Sequence, residues 1–350
     1  MNILHVILAL CIASATHVQA KRLRGQEVNQ TIEGVGLLFD PEGATPVDIL
    51  SSSLVTKPRN ILPIYTPPRP GGGGSIQIAV ASTISYHSGP VMSGTPKIYV
   101  VWYGNWNNPS SVSDTPAGRA IITRFLASLS NSNPYMNVLK SYNKYSSSGG
   151  ITGLFSFSTS GTNEYFHPLT LGTSLSDTNI ETIVKNAVAA KWNGVYDSNA
   201  IYLVLTSSEI NASSGFCTQY CGWHSYTTVS NINVKYAFIG NPQRCMSGCT
   251  AQTTKSPNGI PAVDGMISVI AHEIVEAVTD PVFNAWWDQQ GYENADKCIR
   301  MYGATYRTSN GAMANMKMNG VDYLIQQNFK ITATKAASGA AWTGICTVTG

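Results

Sequence analysis

All but one of the seven cysteines in this 350-residue chain lie between Cys217 and Cys346. The exception, Cys11, sits in an N-terminal run, residues 3–13, that is apolar almost throughout. That run is too short to span a bilayer. It leads into Val18-Gln19-Ala20, which places a small residue where signal peptidase cuts. Lys21-Arg22-Leu23-Arg24 then ends the apolar character abruptly. We therefore expect residues 1–20 to be a signal peptide and the mature chain to be secreted and extracellular. Its removal leaves an even set: Cys217, Cys221, Cys245, Cys249, Cys298 and Cys346. In an oxidising compartment such a set reads as three disulfides. The expected pairing joins the first four among themselves and Cys298 to Cys346. Two C-x3-C pairs would also suit a zinc knuckle, but export favours bridges over thiolate ligands.

Only 12% of residues are charged and the formal net charge is +3, with no basic run carrying interleaved aromatics. Nucleic acid is therefore not an expected partner. No later segment reaches the ~18 apolar residues of a membrane span, so no transmembrane segment is expected. Asn29-Gln30-Thr31 and Asn211-Ala212-Ser213 are glycosylation sequons that export would expose. Residues 21–75 read as a leader or pro-segment ending in a proline-rich stretch and the glycine run 71–74, a composition suited to a disordered linker.

Residues 76–350 read as one α/β domain: a single globular unit with a mixed central sheet and flanking helices, disulfide-stabilised. Lys97-Ile98-Tyr99-Val100-Val101-Trp102-Tyr103 is a β-branched and aromatic run between Pro96 and Gly104, hence a buried strand. Residues 201–205 and 235–239 read as two more. Helices are expected over 116–129, capped by Asp114 or Thr115, and from a Ser176 or Asp177 cap through Ala190. Strands alternating with helices imply helices packed on a sheet.

Residues 263–279 form the most informative segment. Val263, Met266, Ile267, Ile270, Ile274, Ala277 and Val278 recur at helical spacing and define one apolar face. His272 and Glu276 fall on the opposite face one turn apart, and Glu273 lies at the stripe's edge. A histidine and a carboxylate at i, i+4 can grip one metal ion, and a Glu directly after the histidine can accept a proton from water that the ion activates. That is the logic of H-E-x-x-H on a helix. Here the second position is an oxygen donor, which zinc accepts, and which shifts the preference toward Mn or Ca. Glu293 is the expected third ligand, with Asp296 orienting the ligand histidine. His224, held stiffly beside Cys221, is the alternative ligand. The bland alternative is a solvent-facing His272–Glu276 pair with no ion. His87 and His167 read as ordinary loop histidines. Trp102, Trp106, Trp286 and Trp287 could line a sugar cleft, though aromatics beside strands more often belong to a core. There is no G-x-S-x-G elbow and no Walker A run, so no nucleotide or organic cofactor is expected.

Several ordered motifs together resemble the Exordium, or phosphate-induced protein 1, family of secreted plant proteins. They are Tyr86-His87-x-Gly89-Pro90, Trp102-Tyr103-Gly104, Cys217-x3-Cys221-Gly222-x-His224, Cys245-x3-Cys249, His272-Glu273-x2-Glu276 and Asn284-Ala285-Trp286. Glu293-x2-Asp296-x-Cys298, Tyr302-Gly303 and Cys346 complete them. The resemblance covers about residues 80 to 350. It implies an apoplastic or cell-wall protein linked to growth and nutrient responses. Two functional readings follow. One is a zincin-like metallohydrolase acting on extracellular peptide or protein. The other is a non-catalytic signalling or wall-associated protein with a cell-wall polymer as partner.

Overall fold

The computed structural model describes residues 59–63, 83–145, 150–335 and 341–350. The expected signal peptide, Asn29 and the glycine run lie outside these residues. Within the expected leader, Arg59–Pro63 is a β-strand. The description below concerns the compact unit Ile61–Gly350.

The elements that concern the site are, in chain order, β1 (Thr83–Tyr86), β2 (Lys97–Tyr103), α1 (Pro116–Ser128), β3 (Glu164–His167), α2 (Asp177–Lys191), β4 (Ala200–Thr206), β5 (Tyr220–Val229) and β6 (Ile232–Gly240). They continue with α3 (Pro261–Thr279), β7 (Trp286–Trp287), β8 (Asn328–Lys335) and β9 (Ala341–Thr347). Five strands of the central sheet run in the order β5-β6-β4-β2-β3. β3, β2, β4 and β6 are mutually parallel, while β5 joins antiparallel to β6. Parallel strands need cover on both faces, which explains their near-continuous apolar sequence. β4 is buried at every position.

Local signals set the helix starts. Thr115 Oγ1 accepts the Gly118 amide at 3.1 Å ahead of Pro116, which fills the first helical position. Ser176 and Asn179 form a reciprocal capping box at the head of α2. Side chains alternate across β5. Gly222 and His224 face α3, whereas Thr227 donates to Glu181 of α2 at 2.9 Å, so the two helices cover opposite faces. A second, antiparallel sheet runs β7-β1-β9-β8.

The observed disulfides are Cys217–Cys245, Cys221–Cys249 and Cys298–Cys346. They match the expected grouping. The first two tie the entry of β5 to the helical turn Met246–Cys249 that precedes α3. The third ties the turn Asp296–Cys298 to β9. The architecture is thus a disulfide-braced α/β domain with several sheets.

In α3 the predicted stripe of Val263, Met266, Ile267, Ile270, Ile274, Ala277 and Val278 is buried. Asp280-Pro281 ends the helix, since a residue before proline is pushed out of the helical region; Asp280 sits at φ −142°, ψ 59°. The opposite face departs from the bland expectation. Every residue of α3 from Ala262 to Thr279 except Ser268 is buried, so His272 and Glu276 do not form a solvent-facing pair. The reason is non-local. β5 and the segment that follows Pro281 cover the polar side of the helix as completely as the core covers the other.

Candidate functional site

Three elements converge on one point. α3 supplies His272, Glu273 and Glu276, β5 supplies His224, and the segment after β7 supplies Glu293 and Asp296. Their exposures are 0% for the three helical residues, 1% for His224, 2% for Glu293 and 7% for Asp296. His272 Nε2 lies 3.1 Å from Glu276 Oε1 and 3.4 Å from Asp296 Oδ1. His224 Nε2 lies 2.9 Å from Glu293 Oε2 and 3.7 Å from Glu276 Oε2. Two backbone amides orient the acids: Asp296 N donates to Glu276 Oε1 at 3.0 Å, and Glu293 N to Asp296 Oδ2 at 3.2 Å.

All six expected residues therefore come together, with Glu293 and Asp296 in exchanged positions. Asp296 neighbours His272, and Glu293 neighbours His224. The Asp296 amide, bonded to Glu276 Oε1, sets that residue against the helix, and Asp296 Oδ2 in turn accepts the Glu293 amide. Ligand atoms of His272, Glu276 and Asp296 lie within 4.8 Å of one another, as do those of His224, Glu273 and Glu276.

Glu273 reaches this point because of Gly222. A Cβ on Gly222 would lie 2.5 Å from Val269 Cγ1 and 3.2 Å from Glu273 Oε1, so the absent side chain is what lets helix and strand approach. Asp280 was also missed from sequence. Its Oδ1 accepts the Asn284 and Ala285 amides at 2.7 and 2.6 Å, and its carboxyl bonds Glu293. The legible signal was an Asp before proline and just upstream of Asn-Ala, an Asx turn.

The electrostatics follow from burial. Desolvation pushes the Glu273 carboxyl well above its usual range, partly opposed by His272. It pushes Glu276 up to about 7, with Asp296 adding to the rise. Burial and the neighbouring His272 drive His224 down to about 3. Burial would also lower His272, but the carboxylates of Glu276, Asp296 and Glu273 outweigh it and hold that imidazole well above its ordinary value. Among the described residues, both ring nitrogens of His272, both oxygens of Glu273 and Oε2 of Glu276 have no hydrogen-bond partner. Such atoms normally find partners, because leaving them unpaired costs about 1–3 kcal/mol each. Cation binding would take up Nε2 of His272 and the carboxylate oxygens, though not Nδ1 on the other edge of the ring, so the residues present fit a metal site.

The remaining candidates lie elsewhere. His87 is exposed and stacks on Trp287 with ring centroids 3.4 Å apart. His167 is buried at the end of β3, beside Asn186 at 3.4 Å. Trp102, Trp106 and Trp286 are 0–1% exposed, so they belong to the core and cannot line a sugar cleft. Asn211 is exposed, with its Oδ1 accepting from Arg244 at 2.6 Å. No helix among the described residues is long and apolar enough to cross a membrane.

Fold and site together define a disulfide-braced α/β protein with a buried centre of two histidines and four carboxylates. The family described as "Phosphate-induced protein 1 conserved region" matches residues 84–328, and the chain belongs to that family. It is 30% identical over 297 residues to Protein EXORDIUM-like 3 of Arabidopsis thaliana, covering 74% of this chain and 84% of the relative. Protein EXORDIUM-like 5 of the same plant is 31% identical over 253 residues, 63% of this chain and 65% of its own. Protein EXORDIUM, also from Arabidopsis thaliana, is 27% identical over 252 residues, 63% of this chain and 74% of its own. No solved structure matches the chain.

Proposed function

We propose that this chain is a secreted, metal-dependent hydrolase of peptide bonds, with a divalent ion held by His272, Glu276 and Asp296 and with Glu273 as the proton acceptor. The observation that carries the reading is the set of buried donor atoms on His272, Glu273 and Glu276 without hydrogen-bond partners among the described residues. Ligand atoms each ~2.1 Å from one ion stand roughly 3.0–3.4 Å apart. The contacts of His272 Nε2 with Glu276 and Asp296, at 3.1 and 3.4 Å, match that spacing. Zinc suits the set, with Mn or Ca as alternatives for its oxygen-rich share.

A bound ion supplies Lewis acidity, polarising a carbonyl and acidifying water. The protein's own groups supply the rest. Glu273, its affinity for protons raised by burial, accepts a proton from water and returns it to a leaving amine. Glu293, fixed by the turn it shares with Asp296, orients the His224 imidazole. A zincin-like logic, with H-E on a helix and an acid from beyond a turn, belongs to this reading. The leader sequence and three disulfides support export.

The complete burial of His272, Glu273 and Glu276 favours a second reading, a non-catalytic extracellular or wall-associated protein whose ion pins α3 to β5. Metal analysis of protein expressed in zinc-supplemented medium, followed by assay on a peptide library, separates the two. The expected result is at least one ion per chain, hydrolysis by the wild type, and loss of hydrolysis in Glu273→Gln with at least one ion retained. Protein without metal overturns the hydrolase and the pinning ion, and leaves a non-catalytic protein. Metal without hydrolysis establishes the second, and activity that survives Glu273→Gln removes Glu273 as the acceptor.

A further inference from the structure

We infer that the buried centre is built for two divalent cations bridged by the carboxylate of Glu276. The inference rests on the metal reading above and changes the number of ions and the part played by each side chain. The six groups divide into two triads that share one member. His272, Glu276 and Asp296 form the first, and His224, Glu273 and Glu276 the second. The two oxygens of Glu276 serve different histidines: Oε1 lies 3.1 Å from His272 Nε2, and Oε2 lies 3.7 Å from His224 Nε2. One oxygen per triad is the geometry of a bridging carboxylate. Glu293 Oε2, 2.9 Å from His224 Nε2, adds a further oxygen on the second side. Each half thus offers one imidazole nitrogen and several carboxylate oxygens, a set suited to Mn, Fe(II) or Zn.

All of these partnerless atoms except His272 Nδ1 divide in the same way. Nε2 of His272 faces the first triad, while Oε2 of Glu276 belongs to the second, and both oxygens of Glu273 are partnerless there too. A single ion among His272, Glu276 and Asp296 would leave the second group unsatisfied. Charge leads to the same count. Glu273, Glu276, Glu293 and Asp296 carry four negative charges when ionised, Asp280 holds the proton of its bond to Glu293, and ligand imidazoles are neutral. One divalent ion leaves two negative charges in a site with almost no water contact, whereas two ions bring the sum to zero. Uncompensated buried charge is among the most costly arrangements a fold can hold. Lys297, next along the chain from Asp296, pairs with Asp288 at 2.7 Å. Paired ions in proteins stand about 3.5–4 Å apart, a span that one carboxylate bridges.

The test is metal stoichiometry. Wild-type protein expressed in Mn-supplemented medium is expected to hold two ions per chain, and its electron paramagnetic resonance to show the exchange spectrum of a Mn(II) pair. Glu273→Gln should lower the count to one and restore the spectrum of an isolated ion. The spectrum of the wild type keeps the test decisive if that variant does not fold. One ion per chain, or an isolated-ion spectrum in the wild type, overturns the inference and leaves the single-ion reading standing. No metal at all overturns both.

Discussion

Two of the buried acidic centres among the described residues differ in how their oxygens are satisfied. Asp114 is fully buried where the parallel strands β2, β4 and β6 end. Its Oδ1 accepts Ser208 N at 3.0 Å and Asn241 Nδ2 at 2.6 Å. Its Oδ2 accepts Ser111 Oγ at 2.9 Å and also Ser208 Oγ. Four donors surround two oxygens. Glu273 is equally buried and, among the described residues, has no hydrogen-bond donor on either oxygen. The first carboxylate is finished by the protein alone; the second is left for a cation or a proton. In open α/β sheets, ligands usually bind beyond the carboxyl ends of the strands, where the strand order reverses. Here the Asp114 network caps the ends of β4 and β6 through Ser208 and Asn241. The incomplete acids lie instead on a sheet face, under α3.

The most forceful way to break this contrast is pH. In metal-free protein, burial raises Glu273, carboxylate neighbours hold His272 up against burial, and Glu276 stands near 7. Above pH 6.5 the folded state therefore keeps protons that the unfolded chain has released, so stability must fall as pH rises. His224, at about 3, is neutral in the folded state, while the unfolded imidazole, with its ordinary value of 6.5, loses its remaining proton early in that window and offsets only a small part of the trend. Each retained proton is worth about 1.4 kcal/mol per pH unit, so two give on the order of 3 kcal/mol between about pH 6.5 and 7.5. Denaturant melts in chelator across that window check the slope. Added metal should reverse its sign, because the ion competes with protons for the same atoms. A flat profile in chelator would mean that the cluster is as complete as Asp114.

Asp114→Ala probes the other side of the comparison. Removing this acceptor leaves the half-buried Ser208 amide without its partner and takes one of two acceptors from Asn241 Nδ2, which keeps Ser113 Oγ, at a cost of about 2 kcal/mol. Equilibrium unfolding measures that loss, and metal content should not change. A parallel loss of metal would show that the two centres are one network.

Much of the fold was legible because its signals are local. The strand expected over 97–103 is Lys97–Tyr103, and those expected over 201–205 and 235–239 lie within Ala200–Thr206 and Ile232–Gly240. The helix expected over 116–129 ends one residue earlier, and the one expected through Ala190 ends one later, a difference within ordinary fraying. β5 escaped notice because YCGWHSYTTV mixes polar, aromatic and cysteine residues without alternation, yet is buried on both faces along most of its length. The second sheet escaped because Tyr86 pairs with Trp286, a contact that no local pattern announces. At the site, the i, i+4 spacing placed His272 and Glu276 together correctly. Their burial depends on what the rest of the chain lays over them, which periodicity cannot supply.

Gly222→Ala is the smallest of these perturbations and the most specific. The backbone at Gly222 is ordinary strand, so the substitution brings no conformational strain of its own; its effect is the room that the new methyl takes. That methyl would lie 2.5 Å from Val269 Cγ1, 3.0 Å from the Phe238 carbonyl oxygen and 3.2 Å from Glu273 Oε1. The strand carbonyl cannot yield without breaking the β5–β6 ladder, so α3 must move away from β5 at Val269 and Glu273. Overpacking of one methyl costs about 1 kcal/mol, a shift of a few degrees in melting temperature. The movement also draws Glu273 away from His224, whose own strand position is pinned by the nearby Cys221–Cys249 bridge. Metal affinity should therefore fall more than stability, and competition with a chelator measures it. At Gly265, on the same helix, an added methyl would meet Thr250 Cγ2 at 2.3 Å, well away from the cluster. Gly265→Ala should thus cost stability and leave affinity unchanged, and equal losses of affinity in both variants would show that Gly222 has no particular bearing on the acids.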